Sequence, residues 1–142
     1  MLGTDKPECE SYWAIDDPSR QRNFKSGQNK NDYHLAEGWY RFITGKQMST
    51  SCILGSGYCD ADNQGSLQGS HPSVEDGMVT RKVCFSYYQP ARRRYGYSSY
   101  YQQSVSECCK YSTFIKVRNC GSFYVYKLKP TANNSCRYCT EY

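Results

Sequence analysis

Nine cysteines and two histidines, His34 and His71, are the residues of this 142-residue chain best suited to act on a substrate or hold a metal. A cysteine nucleophile needs a thiolate spared from bridging and a histidine to take its proton. Cys136 with either histidine meets that need only formally. Cys136-Arg137-Tyr138-Cys139 has the spacing of half a structural zinc site, but the second Cys-x-x-Cys pair is missing. Asp60-Ala61-Asp62-Asn63-Gln64-Gly65 sets side-chain oxygens at alternate positions with glycine sixth, as a calcium loop does. Its twelfth position is His71, where a bidentate glutamate is required, so an acidic turn is the expectation. No nucleophile elbow, phosphate loop or zinc-protease helix occurs. The sequence therefore predicts no catalytic residue, no metal and no cofactor.

Recognition is the chemistry the remaining residues support. Between Cys84 and Cys108 the chain reads Tyr87-Tyr88-Gln89-Pro90-Ala91-Arg92-Arg93-Arg94-Tyr95-Gly96-Tyr97-Ser98-Ser99-Tyr100-Tyr101-Gln102-Gln103, and seven of the fifteen tyrosines fall within residues 87–111. Arginine beside aromatic rings can stack on bases and neutralise phosphates. Tyrosine with serine and glycine also makes adaptable contact surfaces, because each ring supplies a large amphipathic area at low entropic cost. In an oxidising compartment the second use is preferred, against glycan or protein, and nucleic acid is disfavoured. Tyr87, Tyr88, Arg92, Arg93, Arg94, Tyr95, Tyr97, Tyr100 and Tyr101 are the predicted contact residues; a hairpin or loop with no partner remains the plain alternative. Asn133-Asn134-Ser135 is a formal N-glycan acceptor.

These groups need a scaffold, and the apolar residues alone do not supply one. Leu, Ile, Val and Phe make up about one residue in seven, below the usual level for a chain that folds on burial alone. Cysteines at this density in a short chain read as disulfide staples, which persist in secreted and extracellular settings. Nine is odd, so four bridges leave one sulfur free or intermolecular. Cys108 and Cys109 are adjacent and must bond to two different places. No apolar run approaches the ~18 residues of a membrane span. The chain opens Met1-Leu2-Gly3-Thr4-Asp5 without the regions of a signal peptide, so secretion is inferred from the cysteines. The net charge of +5 is uneven: residues 1–78 hold eleven acidic and seven basic side chains, residues 79–130 ten basic ones and a single acid, Glu107. Such halves can attract within the molecule or between copies, and the plain alternative is a solvated surface of uneven charge.

The predicted class is mainly β: a small disulfide-stapled single domain over 1–142, with short antiparallel strands, a C-terminal hairpin and long irregular loops. Residues 1–37 are polar and turn-rich and read as an irregular arm tied down by Cys9. Strands are expected at Gly38–Ile43, Met78–Phe85, Thr113–Asn119 and Phe123–Leu128, the last two joined by a turn at Cys120-Gly121-Ser122. Residues 52–77, rich in Gly, Ser, Asp and Asn, read as a long loop. Residues 86–107 read as a Tyr/Arg-rich insertion.

From Gly38 onward the chain resembles the cysteine-rich domain of uromodulin, of the major zymogen granule membrane glycoprotein and of related extracellular proteins, a family with eight to ten cysteines. The resemblance is carried by Gly38-Trp39-Tyr40-Arg41-Phe42, by Cys52 and Cys59, and by His71-Pro72-Ser73-Val74-Glu75-Asp76-Gly77-Met78-Val79-Thr80-Arg81-Lys82-Val83-Cys84. Cys108-Cys109, Ile115-Lys116-Val117-Arg118-Asn119-Cys120, Phe123-Tyr124-Val125-Tyr126-Lys127-Leu128 and Cys136-Arg137-Tyr138-Cys139 continue it. It implies bridges Cys9–Cys120, Cys52–Cys108, Cys59–Cys139 and Cys84–Cys109. It also implies that Cys136 is unpaired, since its partner in the ten-cysteine form falls where this chain has Asp32. Uromodulin carries an adhesin-capturing N-glycan just before the His-Pro. Here that stretch is Gln68-Gly69-Ser70, without an acceptor. The functional expectation is a secreted, non-enzymatic recognition or adhesion module binding glycan or protein through the Tyr/Arg segment. The alternative is a structural subunit of an extracellular matrix or fibril, self-associating through charge and through Cys136.

Overall fold

Period-two alternation builds the centre of the molecule, whose computed structural model describes residues 6–96 and 100–142. In β2 (Gly38–Phe42), β5 (Val79–Gln89), β8 (Val105–Asn119) and β9 (Tyr124–Leu128), alternate residues turn to one face. On that face Tyr40, Phe42, Val83, Phe85, Ile115, Val117, Tyr126 and Leu128 are all buried. With β1 (Trp13–Ile15), β4 (Asn63–Leu67) and β10 (Cys136–Tyr138), these strands form a seven-stranded sheet in the order β1-β2-β9-β8-β5-β4-β10. The pairs are antiparallel except β1 with β2 and β4 with β10, which run parallel. The fold is mainly β, as the sequence predicts.

The inner face is closed by a second ladder, β3 (Gln47–Met48) with β11 (Thr140–Glu141). Met48 N donates to the Tyr126 hydroxyl at 2.9 Å, joining the two layers. The outer face has two separate covers. At one end lies the short helix α1 (Pro7–Glu10), fixed by the Cys9–Cys120 bridge and by Glu8 against Arg118. Over β4 and β5 lies the 52–61 segment, where Ser86 Oγ donates to Ile53 O and Gln64 Nε2 donates to Gly55 O at 3.0 Å.

Three expectations need correction. The 52–77 stretch is not all loop, because Asn63-Gln64-Gly65-Ser66-Leu67 is a strand buried at every position. Its polar side chains are satisfied internally: Asn63 Nδ2 donates to Ser86 O, and Gln64 Nε2 donates to Tyr58 O and Ala61 O as well as to Gly55 O. Gly65 is needed there, since a Cβ would lie 2.6 Å from the Phe85 ring. This also removes the calcium loop, as Asn63, Gln64 and Gly65 are strand residues and the Asp60 carboxylate accepts from Ser26 N and Oγ. The arm before Gly38 is more than irregular, because it carries α1 and β1 and buries Arg20 and Asp32. Finally, not all strands are short: β5 has 11 residues and β8 has 15.

His71 shows how the 68–77 loop is held. Its Nε2 lies 2.7 Å from the Tyr126 hydroxyl and its ring packs 4.4 Å from that of Tyr124. Burial pushes its pKa down to about 4, with nearby Arg81 adding to the effect and Glu141 opposing it. The folded state thus binds fewer protons than the unfolded chain between that value and the ordinary ~6.5. The stabilisation is complete above pH ~6.5 and is lost as pH falls toward 4. After allowance for partial solvent screening, the loss is on the order of 2 kcal/mol. Thermal unfolding of wild type and His71→Gln between about pH 7 and about pH 4.5 checks this. The variant's midpoint should vary less with pH, and parallel curves would refute the assignment.

Candidate functional site

The Tyr/Arg segment is a β-ribbon. β5 and β8 continue past the body of the sheet: β4 pairs β5 only over Val83–Phe85, and β9 pairs β8 only over Lys116–Asn119. Beyond those limits Tyr87, Tyr88 and Gln89 pair with Glu107, Ser106 and Val105. The ribbon continues in β6 (Arg92–Arg94) against β7 (Tyr100–Gln102). An isolated two-stranded hairpin is marginal in water, and two bridges brace this one at its root. Cys84–Cys109 joins its two strands, and Cys52–Cys108 ties it to the 52–61 segment. A bulge between Phe85 and Tyr87 shifts the register there.

The predicted contact residues are distributed along this ribbon. Tyr95, Tyr100 and Tyr101 are 78%, 47% and 57% exposed. Arg92 and Arg93 are exposed, and the Arg93 guanidinium lies 5.5 Å from the Tyr101 ring centre. Arg94 is placed by its backbone opposite Tyr100. Tyr97 lies outside the described residues. Tyr87 and Tyr88 are half-buried at the root, where the Lys110 ammonium stands 4.2 Å from the Tyr87 ring centre.

At that root the ribbon and the body enclose a cleft of about 350 Å³, lined by Tyr87, Tyr88, Tyr111, Lys110, Asp62 and Asn63 among others. The tyrosines offer flat apolar surfaces, and Asp62 and Lys110 offer an acceptor and a donor. Sequence reasoning placed Asp62 and Asn63 only in the calcium-loop pattern and missed Lys110 and Tyr111, because the cleft draws on distant segments and has no local signature. A larger cleft, about 430 Å³, lies where Arg41 and Phe123 meet. Its arginine is stacked 4.0 Å from the Phe123 ring centre, and none of the predicted contact residues lines it.

The free thiol is enclosed. Cys136 is 0% exposed, its Sγ donates to Asn133 Oδ1 at 3.3 Å, and burial pushes its pKa up to about 11. Such a thiol is a poor nucleophile and is not presented to a second chain. His34 packs on Tyr33 and His71 on Tyr126; among the described residues neither is hydrogen-bonded to Cys136. The remaining bridges are Cys9–Cys120 and Cys59–Cys139.

The family model of the uromodulin-like cysteine-rich domain matches residues 40–140. The chain belongs to this family. Dog (Canis lupus familiaris) pancreatic secretory granule membrane major glycoprotein GP2 is 31% identical over 136 residues, covering 94% of this chain and 23% of that protein. Rat (Rattus norvegicus) uromodulin is 30% identical over 137 residues and mouse (Mus musculus) uromodulin 32% over 136, each covering 94% of this chain and 18% of the relative. The uromodulin-like chain therefore spans less than a quarter of the length of these relatives. No helix among its described residues is long and apolar enough to cross a membrane. In this member of the family Asp32 stands beside Cys136, its backbone N donating to Cys136 O at 2.9 Å. The carboxylate there is paired with Arg20.

Proposed function

We propose that this uromodulin-like chain is an extracellular, non-enzymatic recognition module that binds glycan or protein through the ribbon of residues 86–107. The observation that carries the reading is the set of exposed tyrosines, Tyr95, Tyr100 and Tyr101, beside Arg92 and Arg93 on a ribbon braced by two disulfides. Bracing lowers the entropic cost of presenting these side chains, which favours affinity. The root cleft suits one sugar unit, with tyrosine faces for its apolar side and Asp62 and Lys110 for its hydroxyls. Disulfide density and kinship with proteins named as glycoproteins support the extracellular setting. Asn133, half-buried with its Oδ1 accepting from Ser135 N at 2.9 Å, is the proposed N-glycan attachment point. Binding of wild type and the Tyr100→Ser/Tyr101→Ser variant to a glycan array and an extracellular-protein panel tests the reading. Loss of two exposed aromatics should weaken the captured ligand at least about tenfold, and an unchanged profile would reject it.

A second reading, a structural subunit of a matrix or fibril, is supported by the charge asymmetry alone. The enclosed Cys136 weighs against its covalent form. Sedimentation at low ionic strength separates the two, since a monomer under those conditions counts against self-association.

A further inference from the structure

Between the two covers of the outer sheet face lies a strip that no described residue covers. By strand parity it carries Lys82 on β5, Phe114 and Lys116 on β8, and Lys127 on β9, with Lys129 just beyond. Phe114 is 58% exposed, Lys82 and Lys116 are exposed, and Lys127 and Lys129 are half-exposed. A shallow groove of about 230 Å³ runs along it, lined by Phe114, Lys116, Lys127 and Lys129, with Glu37 as its one carboxylate.

The register makes this strip electrostatically uncomfortable. Lys116 is directly opposite Lys127, an arrangement of like charges that destabilises a sheet. Among the described residues none of the four lysines is in an ion pair. Four acids of the N-terminal half are engaged elsewhere, Glu8 with Arg118, Asp17 with Arg137, Asp32 with Arg20, and Asp60 with Ser26, and Glu37 alone faces the lysines from the groove lining. Six other acids, Glu10, Asp16, Glu37, Asp62, Glu75 and Asp76, are exposed, so an acidic face of a second copy is the competing occupant.

We propose that this strip binds a sulfated linear polysaccharide. Cations on adjacent strands about 4.8 Å apart suit a run of closely spaced anions better than one compact anion. The exposed Phe114 ring offers a face for the apolar side of a sugar. A disulfide-stapled chain also meets extracellular polysaccharides rather than nucleic acid. The strip is separate from the Tyr/Arg ribbon, so its function stands or falls independently.

The test is retention of the whole chain on immobilised heparin-derived octasaccharide at about 0.15 M salt. Lys116→Gln/Lys127→Gln should weaken binding about ten- to thirtyfold. Phe114→Ser should weaken it several-fold, whereas Lys25→Gln/Lys30→Gln and a variant lacking residues 90–104 should bind as wild type does. An unfolding midpoint for Lys116→Gln/Lys127→Gln at or above that of wild type shows that the loss is not misfolding. No retention of wild type, undiminished retention of the double variant, or loss only when 90–104 is removed would overturn the proposal. So would a double variant whose sole defect is self-association, which would make a second copy the occupant.

Discussion

Replacing residues 90–104 with an Asn-Gly turn should abolish ligand capture by the ribbon while leaving the body folded. The deleted stretch holds β6, β7 and the exposed tyrosines, and residues 101–110 are exposed throughout. Little buried area is lost, so stability should change by less than about 1 kcal/mol. An Asn-Gly pair suits the type I′ turn that matches strand twist, so Gln89 and Val105 can remain paired. Both root bridges survive, and intact mass under non-reducing conditions should still report four. Binding is expected to fall more than about a hundredfold, because aromatic and arginine anchors dominate interface energies and several go at once. A truncated chain with four bridges and an unaltered ligand profile would show that recognition lies elsewhere. Loss of capture accompanied by a large fall in the unfolding midpoint would instead mark the ribbon as part of the folding unit.

What was legible in the sequence follows from which faces of each element are buried. Where one face meets the core and the other meets solvent, alternation is visible, as in Val79–Lys82 and Thr113–Val117. β4 is hidden because both its faces are buried and its polar residues are satisfied by internal hydrogen bonds, a pattern that mimics a Gly/Ser/Asn loop. The first half of β8 is hidden for the opposite reason. Val105 to Lys110 is exposed on both faces, so no apolar period marks it. Of the site, the tyrosine and arginine positions were legible from composition alone. The cleft at the root was not, since Asp62, Lys110 and Tyr111 come together only through the register of β4, β5 and β8.

Asp32→Ala should be the most destabilising single substitution outside the cysteines. Asp32 is 3% exposed and binds the buried Arg20 guanidinium in two places, Oδ1 to Nη2 at 2.7 Å and Oδ2 to Nη1 at 2.9 Å. Together the pair stands in for a neighbouring strand along the edge of β10. Asp32 Oδ2 accepts from Tyr138 N at 2.8 Å, Arg20 Nη1 donates to Tyr138 O at 2.9 Å, and Asp32 N donates to Cys136 O at 2.9 Å. Alanine would strand a buried guanidinium and leave Tyr138 N without its acceptor, at a cost of about 3–5 kcal/mol. For a domain of this size that lowers the unfolding midpoint by about 10 °C or more. It would also uncover backbone groups on an edge strand, which invites pairing with another chain. Arg20→Met/Asp32→Leu separates the two effects. A packed apolar pair should recover most of the midpoint, because a buried ion pair contributes little net stability over a hydrophobic replacement. The capping of Tyr138 would still be missing, so the double variant should aggregate more readily than wild type despite a similar midpoint. A double variant as soluble as wild type would mean that the edge of β10 is protected by the fold itself and not by Arg20 and Asp32.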